Sequence, residues 1–364
     1  MNYDKVIIGS SPVCLLEAIY SHSIGIKTCI IDNAGELGGA WKKLNTEKGE
    51  IKNVEIGCHI IEKDRKVYRF FKNKLGLELL EMQPAPKIIV KNKCVPYNLK
   101  NFIAIFRNAR NYFGYAHGLK QFIFDLGLFG KELAQFNLKY YTFSKDSITF
   151  IDRLRTEVQK RNIPALCSAN IISAGINTSE KIIELCTEKG GLIRTNKLAI
   201  TYNTNFNSIL IDGKDRTDML QRKKYEFTHL HFFIQDKLMK KISYWRIFNN
   251  AVLHRVSDMS NQIIRSSNEH LICAGIYASS LEGKTNDSLT ETILSELKKL
   301  KLVSESCRIL KTELNSYKGM YTDLYDLKSI QKETNNLIEV LNTLDIARGI
   351  KENLHKYNKV QYSN

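Results

Sequence analysis

Lys5-Val6-Ile7-Ile8-Gly9-Ser10-Ser11-Pro12-Val13-Cys14 is the stretch on which the reading of this chain turns. An apolar run stops at a glycine and a short polar turn, and a helical pattern follows from Leu15 to His22. A second apolar run, Thr28 to Ile31, ends in Asp32, and Gly38-Gly39-Ala40-Trp41 stands a few residues beyond. Strand, turn, helix and strand in this order predict a βαβ unit. Its first turn, Gly9, Ser10, Ser11, Pro12 and Val13, would set a pyrophosphate at a helix N-terminus, where free N–H groups and the macrodipole favour anions. Asp32, with Asn33 beside it, would take a ribose hydroxyl at the end of the second strand. The glycine pair would let the backbone of Gly38, Gly39, Ala40 and Trp41 pass close to the same phosphates. The expectation is an α/β protein with a Rossmann-like dinucleotide-binding domain, and the dinucleotide expected is FAD.

The turn departs from the G-x-G-x-x-G pattern at two places, where Ser11 and Cys14 replace glycines. The second glycine normally lets backbone approach the pyrophosphate, and the third lets helix and strand pack closely. Ser11 adds one hydroxymethyl group, and Cys14 asks for a wider helix–strand contact. The plainer alternative is a domain of the same shape that holds no nucleotide.

The chain has 364 residues, a length that suggests two domains, and its 43% hydrophobic content supplies a sizeable core. Fifty-four basic against 38 acidic side chains give a formal charge of +16, which favours anionic partners such as phosphorylated metabolites or a peripheral membrane surface. The charges are scattered, as in Lys223-Lys224 and Lys298-Lys299, without a basic run or an aromatic-interleaved motif, so nucleic acid is not expected. The eight cysteines form no C-x-x-C pair and lie mostly in apolar stretches, as expected of free thiols in a reducing cytoplasm. The first strand is expected to begin almost at once, so no signal peptide is expected, and no apolar run is long enough to span a bilayer.

Further along, Asp64 to Leu75 reads as a helix with Val67, Phe70, Phe71 and Leu75 on one face. Ile88 to Val90 and Lys93 to Val95 read as a pair of short strands, and residues 99–141 as helix-rich. Ser179 to Lys189 is expected to be helical, followed by Gly190-Gly191 and a strand from Leu192 to Tyr202. Ser208 to Ile211, Thr228 to Ile234 and Val252 to Val256 read as strands, residues 288–302 as an amphipathic helix, and a last helix as running from Asp345 through His355. The domains are expected to interleave. Residues 1–60, 171–215 and 330–357 would form the FAD-binding part, and 61–170 with 216–329 an α+β substrate or cap domain.

Four patches resemble, in chain order, the flavoprotein superfamily of amine oxidases, protoporphyrinogen oxidases and UDP-galactopyranose mutases. Gly9 to Trp41 is similar to the FAD fingerprint with its acid and double glycine. Gly57-Cys58-His59-Ile60-Ile61 resembles the mutases' G-x-H-I-F segment, whose histidine lies against the flavin. Ile172 to Tyr202 resembles the superfamily's block of glycine, helix, double glycine and strand. Asp345-Ile346-Ala347-Arg348-Gly349 is similar to the C-terminal flavin motif, which implies that Asp345, Ile346 and Arg348 face the isoalloxazine. The motif's usual glycine before the Asp is Leu344 here, and the mutases' Y-T-x-K-Q-W signature is missing.

The resemblance implies His59 and Arg255 as catalytic residues. A neutral imidazole at His59 would position the flavin ring or shuttle a proton, and Arg255 would hold a phosphate or carboxylate through its guanidinium fork. The alternatives are a satisfied buried histidine and a surface ion pair. His229 and His231 share one face of a strand, but no third ligand is evident nearby and no metal site is assigned. The leading functional expectation is an FAD-dependent oxidoreductase acting on a small anionic metabolite, phosphorylated or a nucleotide sugar. Two others stand beside it: a flavin-dependent nucleotide-sugar mutase, and a cofactor-less binding protein on the fold of Rab GDP-dissociation inhibitors.

Overall fold

The computed structural model describes residues 1–41, 61–82, 87–90, 93–96, 140–143, 149–202, 204, 206–220, 224–235, 244–247, 250, 252–260, 268–276, 283, 285–320, 324–343 and 346–363. The expected helix-rich stretch 99–141 lies almost wholly outside these residues.

The first sheet grows from the unit read at the N-terminus. Strand β1 (Asn2–Ile8) is paired in parallel with β2 (Thr28–Ile31) on one side and with β11 (Leu192–Thr201) on the other. Helix α1 (Pro12–Ser23) connects β1 to β2. Proline at its first position suits a helix start, since the missing N–H would have no intrahelical acceptor. The sheet continues beyond β2 to β8 (Ala165–Leu166). Beyond β11 it continues through β10 (Ile182–Thr187), β9 (Ile171–Asn177), β12 (Ser208–Ile211) and β13 (Lys214–Asp215), while β19 (Ile338–Leu341) pairs with the end of β11.

A second sheet carries β5 (Lys87–Val90), β6 (Lys93–Pro96), β14 (Lys224–Gln235), β15 (Tyr244–Ile247), β16 (Leu253–Asp258), β17 (Glu269–Ile276) and β18 (Arg308–Met320). A small third sheet joins β3 (Ile61–Glu62), β4 (Leu79–Met82) and β7 (Tyr140–Phe143). Among the described residues the other α-helices are α2 (Arg65–Leu75), α3 (Phe150–Lys160), α4 (Asn286–Lys299), α5 (Leu324–Glu333), α6 (Ile346–Glu352) and α7 (Leu354–Tyr357). Mixed α/β architecture around a large sheet is thus what the chain builds.

Each face of the first sheet buries its own core. On one, Ile7 and Ile30 meet Val13, Leu15, Leu16 and Ile19 of α1, Phe70 and Phe71 of α2, Phe150 and Leu154 of α3, and Tyr357 of α7. On the other, Val6, Cys29 and Ile31 meet Ala174, Ile183, Leu198 and Ile330. Helix α2 follows its expected stripe, and Asp64 caps it by accepting from the N–H groups of Lys66 and Val67. In the second sheet, Leu230, Phe232, Val256, Ile272 and Ala274 pack against Leu289, Ile293 and Leu297 of α4.

One expectation is corrected. Ser179 to Lys189 is not a helix: Ile182–Thr187 is a strand, antiparallel to both β9 and β11. Ile183 and Leu185 point inward while Ile182 stays exposed, a period of two that β-branched residues favour. Ser179 and Glu180 belong to the preceding turn, which Lys181 closes with φ of 56°. Residues 149–166 lie against this sheet. Here α3 packs into the core of α1, and β8 extends the first sheet beside β2. The last helix begins at Ile346 and breaks at Asn353.

Candidate nucleotide and substrate sites

Strand β1 delivers the chain to Gly9, whose φ of +104° lies where side-chain-bearing residues are strained. A Cβ at Gly9 would stand 3.3 Å from the Thr201 methyl and 3.7 Å from the Cys14 sulfur. The end of β11 therefore crowds the same turn. No side-chain cap covers the start of α1, so the first N–H groups after Pro12, on Val13 and Cys14, have no intrahelical acceptor. Ser11 turns its hydroxyl onto the Cys14 sulfur at 3.2 Å. Burial pushes the Cys14 thiol up to about 12, despite the opposing Ser11 hydrogen bond, so the thiol stays neutral.

Ser10 organises the rest. Its hydroxyl donates to Asp32 Oδ2 and accepts from the Gly38 N–H at 2.8 Å, and both Ser10 and Asp32 are buried. The other Asp32 oxygen accepts from the Ala34 N–H at 2.8 Å. First turn, acid and double glycine are thus tied together by one side chain. Gly38 and Gly39 take φ of +131° and +56°, and a Cβ on Gly39 would lie 3.6 Å from the Ser11 nitrogen. Asn33 is exposed, and Trp41 is not at the turn: its indole lies edge-on to Phe143 and Phe150, at 6.2 and 5.6 Å, within the first core.

The C-terminal patch reaches the same place from the other end of the chain. Gly349 of α6 fits so closely that a Cβ would come 2.1 Å from the Asn342 carbonyl oxygen and 3.1 Å from a Val13 methyl. Ile346 packs against the first core, while Arg348 is exposed and pairs with Glu352 at 3.0 Å. Gly57 to Ile60, including His59, and also Leu344 and Asp345, lie outside the described residues.

The second sheet has a polar face opposite α4. His229, Gly275 and Arg255 are register partners across β14, β17 and β16, and His231, Cys273 and Ser257 form the adjacent row. Arg255 Nη2 and His229 Nε2 are 2.6 Å apart, so His229 is neutral there, with Nε2 accepting. Gly275 has room for no side chain, since a Cβ would meet His254 Cε1 at 2.7 Å. Burial lowers the His231 pKa to about 4, in spite of a hydrogen bond with Glu313. Among the described residues, no group of three His, Cys, Asp or Glu is placed to hold a metal ion, and no helix is long and apolar enough to cross a membrane.

Sequence reading did not single out Ser10 as a hub, Thr201 beside Gly9, or the contact of Gly349 with Val13. A parallel strand ending in Thr201 was the one signal available for the second of these; the others exist only once the chain is folded.

Solved structures share this architecture: the chain has the fold that putrescine oxidase and UDP-galactopyranose mutase adopt. Putrescine oxidase bound to putrescine is similar over 96% of this chain and 95% of its own, at 13% identity and a TM-score of 0.66. Reduced UDP-galactopyranose mutase is similar over 93% and 88%, at 12% identity and a TM-score of 0.65. A protein assigned as a protoporphyrinogen oxidase from an Exiguobacterium species covers 98% and 99%, at 11% identity and a TM-score of 0.63. No protein-family model and no curated protein matches the sequence.

Proposed function

We propose that this chain is an FAD-binding oxidoreductase of the cytoplasm that acts on a small anionic metabolite. The observation that carries this reading is the convergence of the Gly9 turn, Asp32, the double glycine and Gly349 on the uncapped start of α1. Those residues fit a dinucleotide. The turn and the glycine pair are held where a side chain would be strained or crowded, which leaves bare backbone beside free N–H groups.

The Val13 and Cys14 amides would receive the pyrophosphate, and Asp32 would accept from a ribose hydroxyl with the lone pairs that Ser10 and Ala34 leave open. Bound FAD supplies a hydride acceptor for a C–H bond next to nitrogen or oxygen. Arg255 would hold the anionic group of the substrate, its guanidinium steadied by His229. On that face His229 accepts from Arg255, and burial lowers the His231 pKa to about 4. His59 and Asp345 keep the flavin-facing roles that the resemblance implies, and Ile346 and Gly349 would set where the last helix begins relative to the first turn.

The test is the visible spectrum of the purified protein before and after titration with FAD. Saturable uptake with perturbed flavin bands, followed by anaerobic bleaching with an anionic substrate, is expected. A chain that takes up no FAD overturns the reading in favour of a cofactor-less binder. Conversion of a UDP-sugar by the reduced protein without net oxidation replaces oxidoreductase with mutase.

A further inference from the structure

We propose that Arg155, on a helix the sequence places outside the nucleotide domain, is a positioning residue for the FAD phosphates. The proposal rests on the FAD reading above. Arg155 touches no expected ligand group; it acts through the loop between Asp32 and Gly39. Its Nε donates to the Leu37 carbonyl at 2.7 Å, and Nη2 donates to the same oxygen. Glu36 Oε2 lies 3.1 Å from Nη2, and Asp152 Oδ1 lies 3.8 Å from Nη1. The guanidinium is thus spread over the residues immediately before the double glycine.

The same region of chain grips the loop elsewhere. The Ser168 N–H donates to the Ala34 carbonyl at 2.8 Å, and the Ala169 N–H to the Asp32 carbonyl at 3.0 Å. A Cβ at Gly38 would meet Ile151 Cγ1 at 2.9 Å and Arg155 Nη2 at 3.2 Å. Residues 149–169 therefore form a cradle behind the loop, with Ser10 holding it from the front through the Gly38 N–H. Main-chain pairing fixes Asp32 and Ala34, and the Trp41 N–H donates to the Gly38 carbonyl at 2.9 Å; the Leu37 carbonyl and the Gly38 N–H are held by side chains, Arg155 behind and Ser10 in front, with Ile151 filling the space. Removing Arg155 frees the glycine pair to leave its positive φ values, which glycine does readily because other conformations are equally open to it, and the N–H groups beside Ser11 lose their preset direction.

The experiment measures FAD and FMN affinity, by flavin fluorescence, for wild type, Arg155→Met and Arg155→Lys, together with the melting temperature of each apoprotein. FMN lacks the adenylate and the second phosphate, so it reports on the flavin and a single phosphate without the pyrophosphate bridge that the turn and the glycine pair would hold. Arg155→Met is expected to weaken FAD roughly 10- to 100-fold, the scale of a charge-assisted hydrogen bond, with FMN affinity changed less than about twofold. Arg155→Lys keeps the charge but loses the two-donor grip on Leu37. It is expected to stay weak for FAD, and millimolar methylguanidinium is expected to restore part of the Arg155→Met loss.

Wild-type FAD affinity in Arg155→Lys would show that charge alone matters, and would overturn the positioning role. Equal loss of FAD and FMN would overturn it too, as would unchanged FAD affinity in Arg155→Met. Should Arg155→Met fail to fold, the Arg155→Lys ratio of FAD to FMN decides the matter by the same criterion. A wild-type chain that binds no FAD overturns the parent reading and this one together.

Discussion

Changing Glu17 to glutamine should destabilise the chain by about 2–3 kcal/mol, somewhat less than the roughly 3–5 kcal/mol that breaking a buried ion pair costs. Glu17 lies within α1 with its side chain 1% exposed, and its Oε1 accepts from Lys5 Nζ at 2.6 Å. Lys5, 6% exposed, also reaches Glu339 Oε2 at 2.7 Å. Lys356 joins from α7 at 3.1 Å to Glu339 and 3.7 Å to Glu17, and the Tyr357 hydroxyl donates to Glu17 Oε2 at 3.4 Å. The two lysines and two glutamates balance, so the cluster is neutral while β1, α1, β19 and α7 stay packed around it. The substituted amide would keep an acceptor for one donor and lose the charge, leaving Lys5 buried with Glu339 as its remaining carboxylate. That residual partner is why the expected loss falls short of the full penalty. In urea, with a slope of about 3 kcal/mol/M for a chain of this size, the midpoint should fall by about 1 M. A midpoint within about 0.2 M of wild type would refute the reasoning. The double variant Glu17→Gln, Lys5→Met should recover part of the loss, since it removes the stranded cation.

The cluster also has a pH signature. Burial works to raise the Glu339 carboxyl, but Lys5 and then Lys356 outweigh it and hold the pKa below its ordinary value. Its contribution is therefore present above the unfolded carboxylate pKa of about 4.3 and is lost as pH falls through the depressed folded value. Lys5 runs the other way. Burial works to lower its pKa and the Glu17 and Glu339 charges raise it, with the raise winning, so its share is complete below about 10.4 and is lost only at higher pH.

Two further outcomes are expected. Gly349→Ala would drive a methyl against the Asn342 carbonyl, 2.1 Å from where it must sit, and should cost about 1–3 kcal/mol by overpacking, read as a lower melting temperature with weaker FAD uptake; an unchanged melting temperature would refute the close fit. His231 should stay neutral down to about pH 4. Its depressed pKa contributes stability that is whole above about 6.5 and drains away toward pH 4, by about 3 kcal/mol in all. Denaturation midpoints of His231→Phe and wild type should therefore differ most in their slope across that window, and parallel profiles would sink the idea.

Much of this was legible before folding because it is written locally. The Gly9 turn, the strand ending at Asp32 and the double glycine are contiguous, and the stripe of Val67, Phe70, Phe71 and Leu75 repeats at the helical period. Ser179 to Lys189 misled because a polar turn followed by Ile182-Ile183-Glu184-Leu185 satisfies a short helical pattern as readily as an alternating one. The pairing with β9 and β11 settled it as a strand. Arg155 carried no signal at all, since an arginine on an amphipathic helix reads as a solvated charge until the loop it grips is brought beneath it.

The sequence by itself therefore determined the βαβ unit and the residues of its turn, because hydrophobic period and glycine placement act over a few neighbouring positions. The tertiary structure alone decided that Ser10 would join Asp32 to Gly38, that Gly349 would seat against Val13, and that Lys5 would be neutralised by Glu17 and Glu339. Each of those contacts joins positions far apart in the chain, and their energies depend on burial, which no local pattern of residues fixes.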